Sequence, residues 1–449
     1  MTFIPQIVFA AVLGVTAWFI AKRVGRIKKN ILLGRPVDRS DNKGERLKAM
    51  LLVAFGQKKM FKRFIPAILH FFIYVGFLLI NIEVLEIVID GLLGTHRILA
   101  QPLGGLYNVA INFFEFLAVA VLLACVVFLI RRNVLKVGRF VKPEMKGWPS
   151  MDANLILVIE IVLMAAILTM NAADQQLQAL GADHYPQTGR FVFSAVMLPL
   201  FDGLEAGALV LVERAAWWFH IVGIFAFAVY VTYSKHLHIA LAFPNTYFSN
   251  LLAKGKMENM PEVTNEVNLM LGIGADNGAP EGEEEVGRFG AKDVNDLTWK
   301  NLLDAYSCTE CGRCTSECPA NQTGKLLSPR KIMMDTRDRA EEIGQSLDKG
   351  GKGLEDGKAL YQDYITKEEL MACTTCNACT EACPINIDPL NIILQMRRYV
   401  AMEETSTPAS WNSMFQNLET NFAPWKFAPT DRFNWADELA SEQSKQSEA

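Results

Sequence analysis

Two cysteine runs constrain this chain more than any other feature. Both have the spacing C-x2-C-x2-C-x3-C-P, and they extend from Cys308 to Pro319 and from Cys373 to Pro384. Three closely spaced thiolates can bind three irons of one 4Fe-4S cube, while a fourth cysteine, held away by three residues and a proline, reaches the neighbouring cube. The spacing therefore predicts two 4Fe-4S clusters with crossed ligands: Cys308, Cys311, Cys314 and Cys383 for one, and Cys373, Cys376, Cys379 and Cys318 for the other.

Other uses of these cysteines fit the spacing less well. Zinc takes four ligands per tetrahedral site, usually from two CxxC pairs separated by a loop, whereas here three evenly spaced cysteines precede a distal fourth. Disulfides are disfavoured because the runs lie in a segment expected to be cytoplasmic, where thiols stay reduced. The remaining cysteine, Cys125, stands in an apolar segment and is expected to be a buried, inert thiol.

The first half of the chain is strongly apolar. A membrane-spanning helix needs about 20 apolar residues, and five segments approach that length: Phe3 to Ile20, Ile65 to Val88, Val109 to Ile130, Ala153 to Met170 and Ala215 to Tyr233. The first segment has no basic region before it and no small-residue cleavage site after it, so we expect it to be retained. Strand-like alternation is scarce in the second half. The predicted fold class is all-α, with a five-span transmembrane helix bundle followed by an α-helical ferredoxin domain.

Basic residues between the spans indicate their orientation. Lys and Arg are abundant after the first span and at the end of the third, while the alternate loops are poor in them, with Arg97 in one and Arg190 in the other. Because basic loops stay in the cytoplasm, we expect a multi-pass protein of the cell inner (cytoplasmic) membrane, with its N-terminus outside and its iron–sulfur domain in the cytoplasm. No separate basic face indicates a nucleic-acid partner.

Composition divides the chain into four predicted parts. Residues 1–245 form the transmembrane domain, 246–296 a linker, 297–405 the dicluster ferredoxin domain and 406–449 a C-terminal tail. The linker prediction rests on the polar, acidic stretch from Asn265 to Asn295, which cannot bury a core. Helical spacing around the cysteine runs predicts a helical scaffold, in the segments Leu297 to Tyr306, Ser328 to Ile343, Lys367 to Met371 and Pro389 to Met402.

The sequence around the first run resembles a known family. The segment Leu302 to Cys314, followed by Pro319-Ala320 and Thr323-Gly324-Lys325, is similar to membrane-bound iron–sulfur oxidoreductases related to heterodisulfide reductase. The five-span part resembles the cytochrome b (gamma) subunit of respiratory nitrate reductase. Together these resemblances imply an α-helical ferredoxin domain that exchanges electrons with a haem b membrane domain.

The chain departs from catalytic members of that family. It lacks their Cys-Cys-Gly repeats, and it has no dinucleotide-binding fingerprint after a predicted strand. We therefore expect the substrate-binding centre on a cytoplasmic partner subunit, either an iron–sulfur protein of the Cys-Cys-Gly type or a flavoprotein.

Histidines in or beside the spans are the expected haem ligands. His70 lies in the second span and His220 in the fifth, with His236 and His238 at the cytoplasmic end of the fifth. On one continuous helix His220 and His238 would stand ~27 Å apart and could not bind one iron. His70 and His238 are therefore the predicted axial pair for one haem b, and His236 is the weaker candidate. A second haem requires a partner for His220, such as His96; otherwise His220 is expected to line a quinone pocket or to anchor the interface.

Several carboxylates also lie within or at the ends of the spans. We expect them to be solvated at the interface or paired with Arg97 and Arg131, and proton delivery is the alternative. They are Glu83, Glu86, Glu115 and Glu160.

These features predict an oxidoreductase subunit that is not catalytic alone. It would pass electrons between a cytoplasmic redox partner, the two clusters, haem b and the quinone pool, with menaquinone favoured by the resemblance. One alternative is a quinol-oxidising subunit that feeds a cytoplasmic disulfide or sulfur reductase. Another is a redox-sensing membrane scaffold, which has no need of a transmembrane bis-histidine iron.

Metal content tests the cluster prediction. Two cubes require about eight iron and eight sulfide per chain, so the full chain, purified anaerobically in detergent, is expected to contain these amounts by metal and sulfide analysis. Stoichiometric zinc in place of iron would contradict it.

Overall fold

The computed structural model describes residues 3–253, 255–273 and 288–447. Within these ranges the chain is helical and forms no β-strand; isolated bridges pair Arg35 with Thr298 and Tyr361 with Ile365. The all-α class is therefore confirmed. The chain forms two compact units, one of Met1–Glu258 with Lys292–Ile393 and the other of Asn259–Ala291 with Leu394–Ala449. Residues 274–287 of the predicted linker lie outside the described residues.

The helices have the following bounds. In the first part of the chain they are α1 (Ile4–Ile31), α2 (Lys43–Met50), α3 (Phe64–Leu93), α4 (Ala100–Leu103), α5 (Gly105–Leu129), α6 (Trp148–Ala179), α7 (Ala206–Val231) and α8 (His238–Tyr247). They continue as α9 (Pro261–Met270), α10 (Trp299–Ser307), α11 (Arg313–Glu317), α12 (Pro319–Gln322), α13 (Pro329–Asp348), α14 (Leu360–Asp363), α15 (Lys367–Met371), α16 (Ala378–Ala382), α17 (Pro389–Met402), α18 (Ala409–Asn421) and α19 (Asn434–Ser447). Short 3₁₀ or π segments are Leu51–Phe55, Met60–Lys62, Ile130–Val134, Gly138–Phe140, Pro143–Met145, Ser194–Phe201, Lys235–Leu237, Val294–Asp296, Gly353–Glu355 and Pro429–Phe433.

Helices α1, α3, α5, α6 and α7 are long and apolar enough to cross a membrane, so five spanning helices are present as predicted. A helix satisfies its backbone hydrogen bonds internally, as a bilayer requires. The helices are longer than the predicted spans. In particular, α1 continues to Ile31 rather than ending at Ile20, because Arg23, Ile27 and Asn30 in its basic half are buried within the first unit.

The five long helices form a closed ring. Helix α1 contacts both α3 and α7, and the pairs α3–α5, α5–α6 and α6–α7 complete the circle. Phe9 of α1 is 1% exposed and packs against the rings of Trp217, Trp218 and Phe225 of α7. A Cβ on Gly91 of α3 would lie 2.7 Å from the Phe9 ring, so glycine is needed where α1 meets α3. Close packing of this kind holds helices together in lipid, where the hydrophobic effect between them is absent.

The basic half of α1 joins the ring to the cysteine-bearing part of the first unit. The Arg23 guanidinium donates to both carboxylate oxygens of Glu341 on α13, at 3.0 and 2.9 Å. About two turns further along, Asn30 Nδ2 donates to the hydroxyl of Tyr306 on α10 at 2.8 Å. A Cβ on Gly344 of α13 would lie 2.0 Å from Asn30 Oδ1, so this glycine permits the close approach of α1 and α13.

The substitution Arg23→Ala is expected to loosen this junction, because Glu341 stays largely buried without its cation. Removing one partner of a buried ion pair costs about 3 kcal/mol. In detergent, thermal unfolding followed by loss of the visible absorbance of the clusters should begin at a lower temperature. Arg26→Ala on the same helix is the matched control, since Arg26 and its partner Asp348 are 29% and 34% exposed and such pairs contribute less than about 1 kcal/mol. Equal shifts in the two variants would argue against a special role for Arg23.

Candidate metal centres

The two cysteine runs have the same local backbone. In each run the residues before and after the second cysteine are left-handed: Glu310 (φ 54°) and Gly312 (φ 70°) in the first, Thr375 (φ 55°) and Asn377 (φ 62°) in the second. Glycine and asparagine tolerate this conformation better than other residues. The repeated spacing in the sequence thus corresponds to a repeated loop in the structure.

These loops turn backbone amides toward the first cysteine of each run. The amide of Glu310 donates to Cys308 Sγ at 3.5 Å, and the amide of Thr375 donates to Cys373 Sγ at 3.4 Å. Hydrogen bonds to the sulfurs are one means by which a protein tunes the potential of an iron–sulfur cluster.

A short helix follows each loop and separates the third cysteine from the fourth. Helix α11 contains Cys314 and is followed directly by Cys318, and α16 contains Cys379 and is followed directly by Cys383. The two helices pack against each other. Each helix therefore directs its last cysteine toward the loop of the other run.

The result is two cavities lined by four cysteines each. What we term the inner cavity is lined by Cys308, Cys311, Cys314 and Cys383, together with Arg313 and Arg330. The outer cavity is lined by Cys318, Cys373, Cys376 and Cys379, together with Leu327 and Ile393. These are the two sets named from the spacing, and their role as ligands remains a proposal.

The arrangement of sulfurs suits a cluster better than a single ion. Four sulfurs around one zinc, each about 2.3 Å from the metal, would lie about 4 Å from one another. Within the described ranges, no three His, Cys, Asp or Glu side chains are placed to hold one metal ion. A 4Fe-4S cube instead binds each thiolate at a different corner.

Burial of the sulfurs makes their ionisation depend on a bound metal. It raises the pKa of the Cys308 and Cys383 thiols to about 12, so at neutral pH these sulfurs become thiolates when a metal displaces the proton. The remaining free cysteine, Cys125, is fully buried in the helical ring, as predicted.

The inner cavity lies beside the loops of the helical ring. Lys59 Nζ, in the segment before α3, donates to the carbonyl of Thr380 at 3.1 Å and to Asn386 Oδ1 at 2.9 Å. Arg313 donates to the carbonyl of Lys59 at 3.4 Å. Arg330 is fully buried and pairs with Glu144 at 2.7 Å. These cations balance part of the negative charge that four thiolates bring to a buried site.

The histidines at this end of the ring form a second candidate centre. The ring centres of His70 and His238 are 6.4 Å apart. A metal–nitrogen bond to histidine is about 2 Å long, so two imidazoles on opposite sides of one iron have ring centres about 6 Å apart. His238 Nδ1 is 3.2 Å from the carbonyl of Lys235, which orients the ring as such hydrogen bonds do in metal sites. His70 Nδ1 is buried without a hydrogen-bond partner among the described residues. The separation suits two ligands of one iron, and a haem at this site stays a prediction.

The expectation that His220 and His238 lie on one continuous helix is wrong. Helix α7 ends at Val231, a 3₁₀ turn covers Lys235–Leu237, and α8 begins at His238. The hydroxyl of Ser234 accepts from the amide of His236 at 3.1 Å and donates to Asp152 at 2.7 Å, which stabilises the break.

This break changes the surroundings of two histidines. His236 lies 5.4 Å from His238, ring centre to ring centre, rather than on the far side of a regular helix. Burial lowers the pKa of His236 to about 3, so its imidazole is neutral at physiological pH. His220 is fully buried, and neither of its ring nitrogens has a partner in the described part of the chain. His96 instead packs against His184 and Tyr185, at 5.8 and 4.9 Å.

A buried ion pair links the two candidate centres. Lys235, three residues before His238, forms an ion pair with Glu310, which lies between Cys308 and Cys311. Arg337 also donates to Glu310, at 2.8 Å. Burial opposes ionisation of Glu310, but the two cations hold its pKa below the usual range. Sequence reasoning missed Lys235 and Glu310, although both adjoin predicted ligands.

Comparison with known proteins identifies the cysteine-bearing region. Residues 307–387 match the family model described as a 4Fe-4S dicluster domain, which supports two 4Fe-4S clusters as predicted. Residues 1–40 match the model for the conserved transmembrane helix of mechanosensitive ion channels. No solved structure matches the chain.

Curated relatives extend the comparison beyond that domain. The chain is 28% identical over 423 residues to "Probable iron-sulfur-binding oxidoreductase FadF" of Bacillus subtilis (strain 168), across 88% of this chain and 55% of that protein. It is 26% identical over 426 residues to "EtfAB:quinone oxidoreductase" of Syntrophomonas wolfei subsp. wolfei, across 90% and 55%. A shorter match, 34% identical over 107 residues, covers 24% of this chain and 52% of a subunit of the ferredoxin/F(420)H(2)-dependent CoB-CoM heterodisulfide reductase of Methanosarcina acetivorans.

The chain is a relative of iron–sulfur-binding oxidoreductases and heterodisulfide reductase subunits. It spans about half the length of the first two relatives, 55% of each. The resemblance to iron–sulfur oxidoreductases is thus confirmed, while the resemblance of the helical ring to a cytochrome b stays a prediction.

Crossed ligation is tested by Cys318→Ser. Because Cys318 lines the outer cavity, we expect the variant to lose the cluster that Cys373→Ser also loses, so that the two variants have matching electron paramagnetic resonance spectra after reduction. Cys308→Ser should remove the other cluster's signal, and Cys125→Ser should change neither. A Cys318→Ser spectrum that matches Cys308→Ser would show that each run binds its own cluster.

Proposed function

We propose that this chain is the electron-transfer subunit of a membrane oxidoreductase. It passes electrons between a cytoplasmic redox partner and the menaquinone pool by way of two 4Fe-4S clusters and one haem b. When bound, the clusters and the haem supply one-electron carriers. The chain's own contribution is to hold these groups in a fixed order, to exclude water from them and to keep the segments that bind them in contact.

The observation that carries this proposal is the link between the histidine turn and the first cysteine loop. Lys235 and Glu310 are 8% and 3% exposed in their ion pair, so the contact is almost free of solvent. It connects the turn before His238 to the loop between Cys308 and Cys311. Any conformation that separated these two side chains would leave each charge buried without a partner, so the pair favours one geometry.

The outer cavity supports a docking site for the redox partner. Cys376 is exposed, whereas Cys308 and Cys383 of the inner cavity are buried. An electron donor or acceptor can therefore approach the outer cavity from solution. Since the chain contains no flavin or nicotinamide motif, that partner is proposed to be an iron–sulfur protein of the Cys-Cys-Gly type or a flavoprotein.

The relatives support a quinone as the other redox partner. One of them is named an EtfAB:quinone oxidoreductase and aligns with 90% of this chain. The basic loops of the helical ring support placement of the iron–sulfur part in the cytoplasm. In this orientation the outer cavity exchanges electrons on the cytoplasmic side and the quinone exchanges them within the membrane.

The haem tests the proposal directly. In detergent, the purified chain is expected to show a low-spin b-type spectrum, which His70→Ala and His238→Ala should abolish because each removes an axial nitrogen. Both variants should keep about eight iron in clusters. His184→Ala, at an exposed position, is the matched control and should retain the spectrum.

Electron transfer is measured on the same samples. Chemically reduced protein should be reoxidised by a soluble menaquinone analogue, and the two haem-free variants should be reoxidised far more slowly. Retention of the spectrum in His238→Ala, with loss in His236→Ala, would assign the ligand to the neighbouring histidine. Absence of haem from the wild-type chain, or no reaction with the quinone analogue, would overturn the proposed function.

A further inference from the structure

A second polar region lies at the end of the ring away from the cysteines. Here α3, α5 and α6 surround a chain of buried side chains. The hydroxyl of Tyr107 donates to Glu86 at 2.8 Å and accepts from Arg97 at 3.1 Å. Arg97 also forms an ion pair with Asp174, which is fully buried. Arg97 thus contacts both Tyr107 and Asp174, and Tyr107 connects it to Glu86.

A branch of the same network reaches α5. Arg97 Nη2 donates to Asn171 Oδ1 at 2.8 Å, and Asn171 Nδ2 donates to Glu115 at 3.1 Å. The other carboxylate oxygen of Glu115 accepts from the amide of Ser194 at 3.1 Å. Glu115 and Asn171 are 2% and 1% exposed. Glu115 is therefore not solvated at an interface, which was one of the two environments expected for it, and it reaches Arg97, one of the expected partners, through Asn171.

Two polar atoms beside this network have no partner among the described residues. They are Glu83 Oε1, one turn before Glu86 on α3, and the hydroxyl of Ser194. Glu83 is 4% exposed and Ser194 is fully buried. Buried polar groups are almost always hydrogen-bonded, and an ionisable side chain within a membrane span is usually functional. The two atoms are therefore available to a polar ligand inside the ring.

The network also reaches the surface. His96 Nε2 lies 3.4 Å from Asp174, and His96 Nδ1 lies 3.3 Å from Arg214 Nη2. The Arg214 side chain is 34% exposed. Charged and titratable side chains thus extend from Arg214 to Glu86, one turn from Glu83, which a single structural ion pair does not require.

We propose that Glu83 is a proton-transfer residue for a quinone headgroup bound inside the ring, that Glu86 passes protons to it, and that Tyr107, Arg97 and Asp174 hold Glu86 in position at the end away from the cysteines. This inference rests on the proposed function. Reduction adds two electrons to the quinone and one proton to each of its two oxygens. The electrons come from the relay described above. The proton for one oxygen leaves the Glu83 carboxyl, which Glu86 reprotonates with a proton taken from water, and the proton for the other oxygen comes directly from water.

The charged groups facing Glu83 suit this role. They are Glu86 on the same helix, Glu115 on α5 and Arg97 in the loop after α3. Two acids and one cation leave the site able to hold or release a proton, because no excess of positive charge fixes Glu83 as a carboxylate. The unpartnered Ser194 hydroxyl adds a neutral group that can donate to a quinone oxygen.

The test uses the full chain in detergent. Glu83→Gln keeps the shape of the side chain but cannot donate a carboxyl proton. Chemically reduced protein is mixed with a menaquinone analogue, with reoxidation followed in the visible spectrum and proton uptake by a pH indicator. Reoxidation and proton uptake are expected to slow together by about 100-fold, the usual contribution of a positioned acid. Cluster and haem spectra and the affinity for the analogue should not change.

Two further variants complete the test. Glu160→Gln on α6 makes the same change in another intramembrane carboxylate that takes no part in the network, and it should react as fast as the wild type. Tyr107→Phe breaks the link between Glu86 and Arg97 and should slow proton uptake even if Glu83→Gln fails to fold. Wild-type rates in Glu83→Gln, or in Tyr107→Phe when Glu83→Gln cannot be made, would overturn the inference and leave the proposed function intact. A wild-type chain that does not react with the quinone would overturn both.

Discussion

Charged side chains buried between the helical ring and the cysteine loops hold the first unit together. Lys235 with Glu310, and Arg23 with Glu341, join parts of the chain that are distant in sequence. Such pairs contribute little net stability, because desolvation of two charges offsets their attraction. What they specify is position, and the order of the candidate centres depends on that position being fixed.

Features encoded in short stretches could be predicted from the sequence. The same cysteine spacing occurs in both runs. The two loops have left-handed residues at the same positions, where Gly312 and Asn377 are equivalent. The five spans are evident because a bilayer demands long apolar helices. Features set by distant residues could not be predicted. The break after α7 depends on Asp152, which is 82 residues before Ser234, and the ion pair of Lys235 is with a residue 75 positions away.

The intramembrane carboxylates show the same limit. Their presence in the spans was evident, but their burial was not, because Arg97, Tyr107 and Asn171 reach the network from a loop and two different helices. The sequence alone allowed Glu86 and Glu115 either an interfacial position or a pairing with Arg97 and Arg131. Packing of α3 against α5 and of α5 against α6 encloses them.

The exchange of the last cysteine between α11 and α16 has a consequence for assembly and damage. Each cavity takes one sulfur from the other run. Under the proposed crossed ligation neither cluster would have a complete ligand set until both loops have folded, and maturation would then be all-or-none. Loss of the outer cavity's cluster through oxidation at the exposed Cys376 would free Cys318, the residue after α11, and α11 packs on α16, which Cys383 follows. Oxygen damage that begins at the solvent side can therefore spread to the buried cluster without oxygen reaching it.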